Sequence, residues 1–236
     1  MLNAFRTLRE LNSDVISCEL CPRLRRYCRL VTREKRRQFM DWYYWGRPLP
    51  GFGDPQARLM ILGLAPASHG GNRTGRMFTG DGSAQFLMAA LHRFDFANKP
   101  TSISAEDGLK LHNAYMTAIV RCAPPMNKPT AREVENCKQY WTQEIGLLRK
   151  VRVVLALGRV AFDAYVRFLK ERDLETRDLS FHHGAFYRLP RPYPALCGSY
   201  HPSRQNTQTG KLTAKMFDRV FQDIREFLGS EPANVL

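Results

Sequence analysis

Arg58-Leu59-Met60-Ile61-Leu62, running directly into Gly63–Asp81 (GLAPASHGGNRTGRMFTGD), is the stretch whose reading decides the fold. The first part is a nearly unbroken apolar run, the pattern of a strand buried on both faces of a parallel sheet. The second part has five glycines, one proline, two arginines, one phenylalanine and a closing carboxylate. Glycine at that density lets backbone N–H groups come close to a ligand, at a cost in folding entropy that an inert connection avoids. A strand that empties into such a loop predicts a binding site for something flat and anionic.

Working outward, three more apolar runs have the same character: Ala114 to Val120, Val151 to Leu157 and Ala195 to Tyr200. Helical patterns separate them. Phe86, Leu87, Ala90, Leu91 and Phe94 mark one after the Gly-rich loop, and Thr130 with Glu133 forms a capping box for another. A third spans about Arg159 to Lys170, and the last carries Leu212, Met216, Val220, Ile224 and Leu228 at a spacing of four. Strands alternating with helices predict an α/β fold: a central, mostly parallel four-stranded sheet with helices on both faces. We expect one domain over residues 1–236. Its first 57 residues hold an N-terminal helix from about Asn3 to Val15, a C-x2-C pair and a basic segment, and residues 229–236 form a frayed tail. In such sheets, ligands sit beyond the carboxyl ends of the strands. The loop at Gly63, Gly158-Arg159 and His201-Pro202-Ser203 all leave such ends, and one pocket can collect the first and the last.

The charge points to a partner. Thirty-six Lys and Arg against 22 Asp and Glu leave a net charge of +14, more than solubility needs, which favours a polyanion. Eight basic residues fall between Arg23 and Arg37 against Glu34 alone, followed by Phe39, Trp42, Tyr43, Tyr44 and Trp45. Such a run is also what a solvated helix face followed by aromatic core looks like; with the global charge, nucleic acid is the better reading. No run approaches the roughly 18 apolar residues of a membrane span. MLNAFRTLRELNSD reads as an amphipathic helix rather than a secretion signal, so we expect a cytoplasmic protein.

Six cysteines in that setting argue against a disulfide framework. Cys18 and Cys21 form C-x2-C; Cys122 and Cys137 follow about a hundred residues later. Four converging thiolates suit either a tetrahedral zinc or a cubane iron–sulfur cluster, and spacing does not choose. Cys28 and Cys197 read as small buried hydrophobes.

With these segments placed, the chain resembles the uracil-DNA glycosylase superfamily, and within it family 5, the type B enzymes. The first active-site motif there is similar to Gly63-Leu64-Ala65-Pro66-Ala67, Arg73-Thr74-Gly75 and Phe78-Thr79-Gly80-Asp81; the second is similar to His201-Pro202-Ser203, Asn206 and Thr209-Gly210. Pro48–Asp54 and Arg121–Pro125 are similar too, and the likeness spans about Cys18 to Thr213. It implies a [4Fe-4S] cluster on Cys18, Cys21, Cys122 and Cys137 with a structural role, so resemblance chooses iron over zinc. It also implies a DNA partner whose damaged nucleotide is flipped out, and we expect the protein to act as a monomer.

Breaking the bond between C1′ and the base nitrogen passes through a cationic sugar and an anionic leaving base. The flipped ring therefore needs a stacking face, an edge reader and an anion stabiliser. Phe78 is the expected face, with Gly63 and Ala65 beside it in the base site. Asn113, at the start of the second strand, is the expected reader of a pyrimidine edge, or else a turn residue. His201 is expected to donate to the carbonyl oxygen that gains charge. Leu64 and Ala65 stand where other families carry a water-orienting side chain, leaving Asp81 to position water or steady the sugar cation, or else to cap the next helix. Arg73, Arg76, Ser203, Arg204, Gln205 and Asn206 are expected to handle the DNA backbone. Neither motif has a lysine to form a Schiff base, so the implied enzyme is monofunctional, with hypoxanthine and xanthine as further substrates by analogy with wider relatives. The alternative is an inactive iron–sulfur or zinc module that only binds nucleic acid.

Overall fold

The computed structural model describes residues 5–230. Four parallel strands form the middle of the sheet: β2 (Leu59–Gly63), β3 (Ala114–Ala118), β4 (Val153–Leu157) and β6 (Ala195–Ser199). Two short antiparallel strands, β1 (Phe52–Gly53) and β5 (Ala185–Tyr187), extend its edges, giving the order β1-β3-β2-β4-β6-β5. The expected four-stranded core is thus present and the sheet has six strands. The edge strands are two and three residues long, too short for side-chain alternation to reveal them.

Helices cover both faces. They are α1 (Leu8–Ser17), α2 (Pro22–Glu34), α3 (Gly71–Thr74), α4 (Gly82–Arg93), α5 (Ala131–Leu147), α6 (Arg159–Lys170), α7 (Arg204–Gln208) and α8 (Ala214–Ser230). The first helix was expected from Asn3, which lies outside the described residues; α1 starts after Thr7, whose hydroxyl caps the Glu10 amide. Gly229 and Ser230 complete α8 rather than begin a frayed tail, and residues 231–236 lie outside the described residues. The capping box at Thr130 and Glu133 is formed, and such a cap typically contributes about 1 kcal/mol.

Alternation along each strand sends side chains to two cores. Met60, Leu62, Tyr115, Val154 and Leu196 pack with residues of α1, α5 and α6; Leu59, Ile61, Met116, Leu155 and Cys197 pack with residues of α4 and α8. Leu59 to Leu62 are fully buried, each worth about 1.5–3 kcal/mol of apolar transfer.

One polar knot ties α5 to β3. Glu144, fully buried, accepts from Arg121 Nη2 at 2.5 Å, Thr117 Oγ1 at 2.6 Å and Tyr115 Oη at 3.2 Å. Removing one partner of such a pair strands a buried charge, at about 3–5 kcal/mol. The knot fixes the carboxyl end of β3, from which the chain runs on beside β2: Ile119 N donates to Gly63 O and Val120 N to Leu64 O, both at 3.0 Å.

Chain order sets the place for a ligand. The chain goes from β2 to its neighbour β3, then crosses back to β4 on the other side of β2. Connections that diverge this way open a crevice beyond the carboxyl end of the strand between them. Among the described residues, no helix is long and apolar enough to cross a membrane.

Candidate active site

A pocket of about 260 Å³ opens at that crevice. It is lined by Leu64 to Ala67 after β2, Phe78 and Asp81 further along the same loop, Ala118 at the end of β3, Asn127, and His201 and Ser203 after β6. The first and last strand ends therefore share one cavity. Its volume falls just below the usual range for small-molecule sites, about 300–1,000 Å³, and suits one small planar group.

Phe78 forms one wall, in the left-handed region at φ 46°. A Cβ added to Gly63 would lie 2.7 Å from Phe78 Cζ, so the ring rests directly on the Gly63 backbone. Bulky side chains seldom take this conformation, and such strain persists where the surroundings enforce it. Here Phe78 both packs against the core and lines the cavity.

Asp81 has two structural tasks. Its Oδ1 accepts from Ala84 N at 2.9 Å and caps α4, as its alternative reading proposed, while the residue also lines the pocket. A Cβ on Gly70 would stand 2.2 Å from Asp81 Oδ2, so glycine there is what admits the carboxylate. Burial raises its pKa; the Ala84 and Ser83 amides and Arg73 oppose that rise.

His201 is held by its own backbone. Its carbonyl accepts from Asn206 Nδ2 and from Ser203 N, both at 2.8 Å. Burial lowers its pKa to about 4, so the imidazole is neutral near pH 7 and keeps one N–H to donate. Ser203 caps α7 and lines the pocket, and Arg204 and Gln205 are exposed on that helix. Asn206 steadies the His201 turn.

Three expectations are corrected. Asn113 lies at the amino end of β3, about 16 Å of strand from Ala118 at roughly 3.3 Å per residue. Its Oδ1 accepts from Arg58 N at 2.9 Å and its own amide donates to Asp54 Oδ2 at 2.9 Å, so it is the turn residue and not the edge reader. Arg73 is buried: Nε donates to His69 O at 2.8 Å, Nη2 to Gly80 O at 2.9 Å, and the guanidinium stacks on Phe39 and Trp42 at 3.9 and 4.1 Å. Arg76 is also buried, reaching both Asp107 oxygens at 2.8 and 2.9 Å, with Thr79 and Ser102 alongside. Burial opposes a charge on Asp107, but the Ile103 and Leu109 amides together with Arg76 hold its carboxyl down at about 2. Both arginines are buried and brace the Gly-rich loop from within, Arg73 keeping Nη1 buried without a hydrogen-bond partner among the described residues.

Sequence reasoning missed Asn127. It follows the carboxyl end of β3, sits at φ 57° and lines the pocket. The signal was available, because ligands gather at carboxyl ends and Asn113 precedes its strand whereas Asn127 comes after.

The basic segment divides. Arg25 is buried with Nη1 on Gly46 O at 3.0 Å, and Arg23 pairs with Glu133 at 2.7 Å. Arg29, Arg33, Tyr43 and Arg47 border an open groove of about 800 Å³. This groove adjoins the Gly-rich loop, since Trp45 N donates to Arg73 O and Gly46 N to Asn72 O.

All six cysteines are free. Cys21, Cys122 and Cys137 are buried in one core with Cys18 packed against it, and Cys28 is beside Cys122. Among the described residues, no three of His, Cys, Asp or Glu are gathered closely enough to hold one metal ion. The donor chemistry nonetheless fits a [4Fe-4S] cluster, which four Cys thiolates hold and which sets them wider apart than a single ion does. N–H donors already face two of the sulfurs: Arg121 N lies 3.4 Å from Cys137 Sγ and Asn136 Nδ2 3.5 Å from Cys21 Sγ. Burial pushes the Cys137 thiol up to about 12 and also raises Cys21, so neither is a thiolate without a compensating charge.

The pocket and its chain order agree with comparisons to known proteins. The Uracil DNA glycosylase superfamily model matches residues 50–225. The chain is 48% identical over 213 residues to the Type-5 uracil-DNA glycosylase of Thermus thermophilus, covering 90% of this chain and 94% of that one. In Pyrobaculum aerophilum, the Type-5 uracil-DNA glycosylase is 44% identical over 88% of both chains, and the Type-4 enzyme 29% identical over 83% of both. By the family match and by identity across most of its length, this chain belongs to the uracil DNA glycosylase superfamily.

Proposed function

We propose that the protein hydrolyses the N-glycosidic bond of uracil in DNA, freeing the base and leaving an abasic strand. The observation that carries this reading is the pocket of about 260 Å³ in which the Gly-rich loop meets His201. The nucleotide swings out of the helix, at a cost of a few kcal/mol that is least for a mispaired base. Phe78 stacks on the ring, a contact worth roughly 1–3 kcal/mol. The Asn127 amide has both a donor and an acceptor, matching a pyrimidine edge with a carbonyl beside an N–H.

As the bond breaks, charge grows on the leaving base, and neutral His201 donates to its carbonyl oxygen. Asp81 orients water or steadies the cationic sugar. Ser203, Arg204 and Gln205 meet the backbone beside the lesion, and the groove bordered by Arg29, Arg33 and Arg47 takes the flanking strand. No lysine lines the pocket among the described residues, which supports release of the base without strand cleavage. Small walls at Ala65 and Ala118 support hypoxanthine and xanthine as further substrates. Cys18, Cys21, Cys122 and Cys137 would hold a [4Fe-4S] cluster, with zinc the lesser alternative; when bound it supplies a covalent tie between the N-terminal helices and the sheet. We further propose that the enzyme acts as a monomer in the cytoplasm.

The test is incubation with a uracil-containing oligonucleotide, followed by alkali. Strand breaks that appear only after alkali are expected. Strands left intact across uracil, hypoxanthine and xanthine would replace the enzyme with a DNA-binding module.

A further inference from the structure

A second cavity shares a wall with the base pocket. It has a volume of about 530 Å³ and lies between α5 and α6, over Leu64 and Ile119. Leu64 and Asn127 border both cavities. Leu64 is half-buried and Asn127 is exposed at the rim, so the asparagine can swing aside without repacking the core. Val134 and Trp141 form the α5 side of the second cavity, and Val160 and Ala164 the α6 side. Apolar walls around a space of this size are the usual make-up of a small-molecule site.

One polar group on that wall is unsatisfied. Trp141 is 2% exposed, and its indole Nε1 is buried without a hydrogen-bond partner among the described residues. Buried donors are nearly always paired, so an orphan beside a cavity points to an acceptor that the cavity receives. The ring itself is held as a wall, packed on Phe168 with centroids 5.4 Å apart. A planar heterocycle bearing carbonyl oxygens matches both features: flat faces for the apolar sides and an acceptor for the indole N–H.

The cavity also meets a difficulty that the proposed reaction creates. The flipped nucleotide enters from a strand held at Ser203, Arg204 and Gln205, and after cleavage the abasic strand still covers that entrance. A freed base behind it has to wait for the strand to leave, unless a second opening exists. The α5–α6 cavity has its own rim, where Glu135, Asp163 and Arg167 are exposed to solvent.

We infer that this cavity is the exit chamber for the excised base, which passes between Leu64 and Asn127 and departs while the abasic strand is still bound, an inference that rests on the glycosylase reading above.

The test follows isotopically labelled free uracil by NMR as it binds the full chain already saturated with an abasic-site duplex. Binding is expected, because the chamber stays open when the strand covers the first entrance. Ala164→Phe and Val160→Trp each fill the chamber from α6, and neither residue lines the base pocket. Val160 is 52% exposed, so the second plug has no core to disturb. Each plug should weaken uracil binding to the DNA-bound chain by about tenfold or more and leave single-turnover excision unchanged. Trp141→Phe, which keeps an aromatic wall and deletes the donor, should weaken it by about threefold to tenfold. A DNA-bound chain that takes up no uracil would overturn the exit. So would binding that both plugs leave untouched, or binding that Trp141→Phe leaves untouched. The two readings fail separately: an unaltered chain that releases no uracil from any oligonucleotide defeats the glycosylase and the exit with it, whereas a chain that excises normally and fails these binding tests defeats the exit alone.

Discussion

Asn113 and Asn127 bracket the same strand and share a backbone conformation, at φ 55° and 57°. One bonds Arg58 N at the amino end of the sheet, and the other lines the pocket at the carboxyl end. An asparagine at positive φ is therefore a sign of a turn and of nothing more. Its chemistry depends on which end of the sheet the turn occupies. In a parallel sheet, carboxyl-end loops face the diverging crossovers and can build a cavity. Amino-end loops only have to satisfy the first amides of the strands, as Asn113 and Asp54 do.

The carboxyl end should carry the largest effects. His201→Ala is expected to lower kcat by about 10²–10³, the usual consequence of losing one donor to a developing oxyanion. Affinity for an abasic-site duplex should be nearly unchanged, because in the proposed reaction the imidazole donates to the base and not to the strand. Single-turnover rates and binding isotherms on the same preparation check this, and a circular-dichroism melt guards against unfolding. A His201→Ala protein that is folded and fully active would remove the imidazole from the chemistry.

Asn127→Ala comes next. A bidentate amide contact to a base edge is worth about 1–3 kcal/mol, so excision should fall by about tenfold to a hundredfold. The loss should also depend on the base, being greatest for uracil, whose edge the amide matches. A uniform loss over uracil, hypoxanthine and xanthine would mean that Asn127 shapes the cavity without reading the ring.

Much of this arrangement was legible in the sequence. Buried parallel strands advertise themselves by continuous apolar runs, and both motifs fell at strand ends that the topology then brought together. The arginines were illegible for a physical reason. In a glycine-rich loop a guanidinium suggests a phosphate, but its place is decided by the internal groups that pack on it. Phe39 and Trp42 for Arg73, and Asp107 for Arg76, come from segments with no local signal that they return to this loop. Asn113 failed differently, since the residue type was right and the end of the strand was wrong. Asp81 shows a further case, where the capping reading is the one the structure forms, at a residue that also lines the pocket.

The smallest effect belongs to the amino end and breaks the comparison most directly. Asn113→Ala deletes the side-chain acceptor for Arg58 N, leaving the Asn113 carbonyl at 3.2 Å as the other, and puts an alanine in the left-handed region. Losing the hydrogen bond contributes about 1 kcal/mol and the strained backbone about as much again, so stability should fall by about 1–2 kcal/mol. Asn113→Gly relieves the backbone and leaves only the missing acceptor, so it should fall between Asn113→Ala and the unaltered chain in a urea titration. Neither change should touch kcat or base preference, since Asn113 is separated from the pocket by the full length of β3. A drop in kcat for both variants, at temperatures where they remain folded, would mean that the amino end of the sheet is coupled to the chemistry. The division between the two ends would then have to be abandoned.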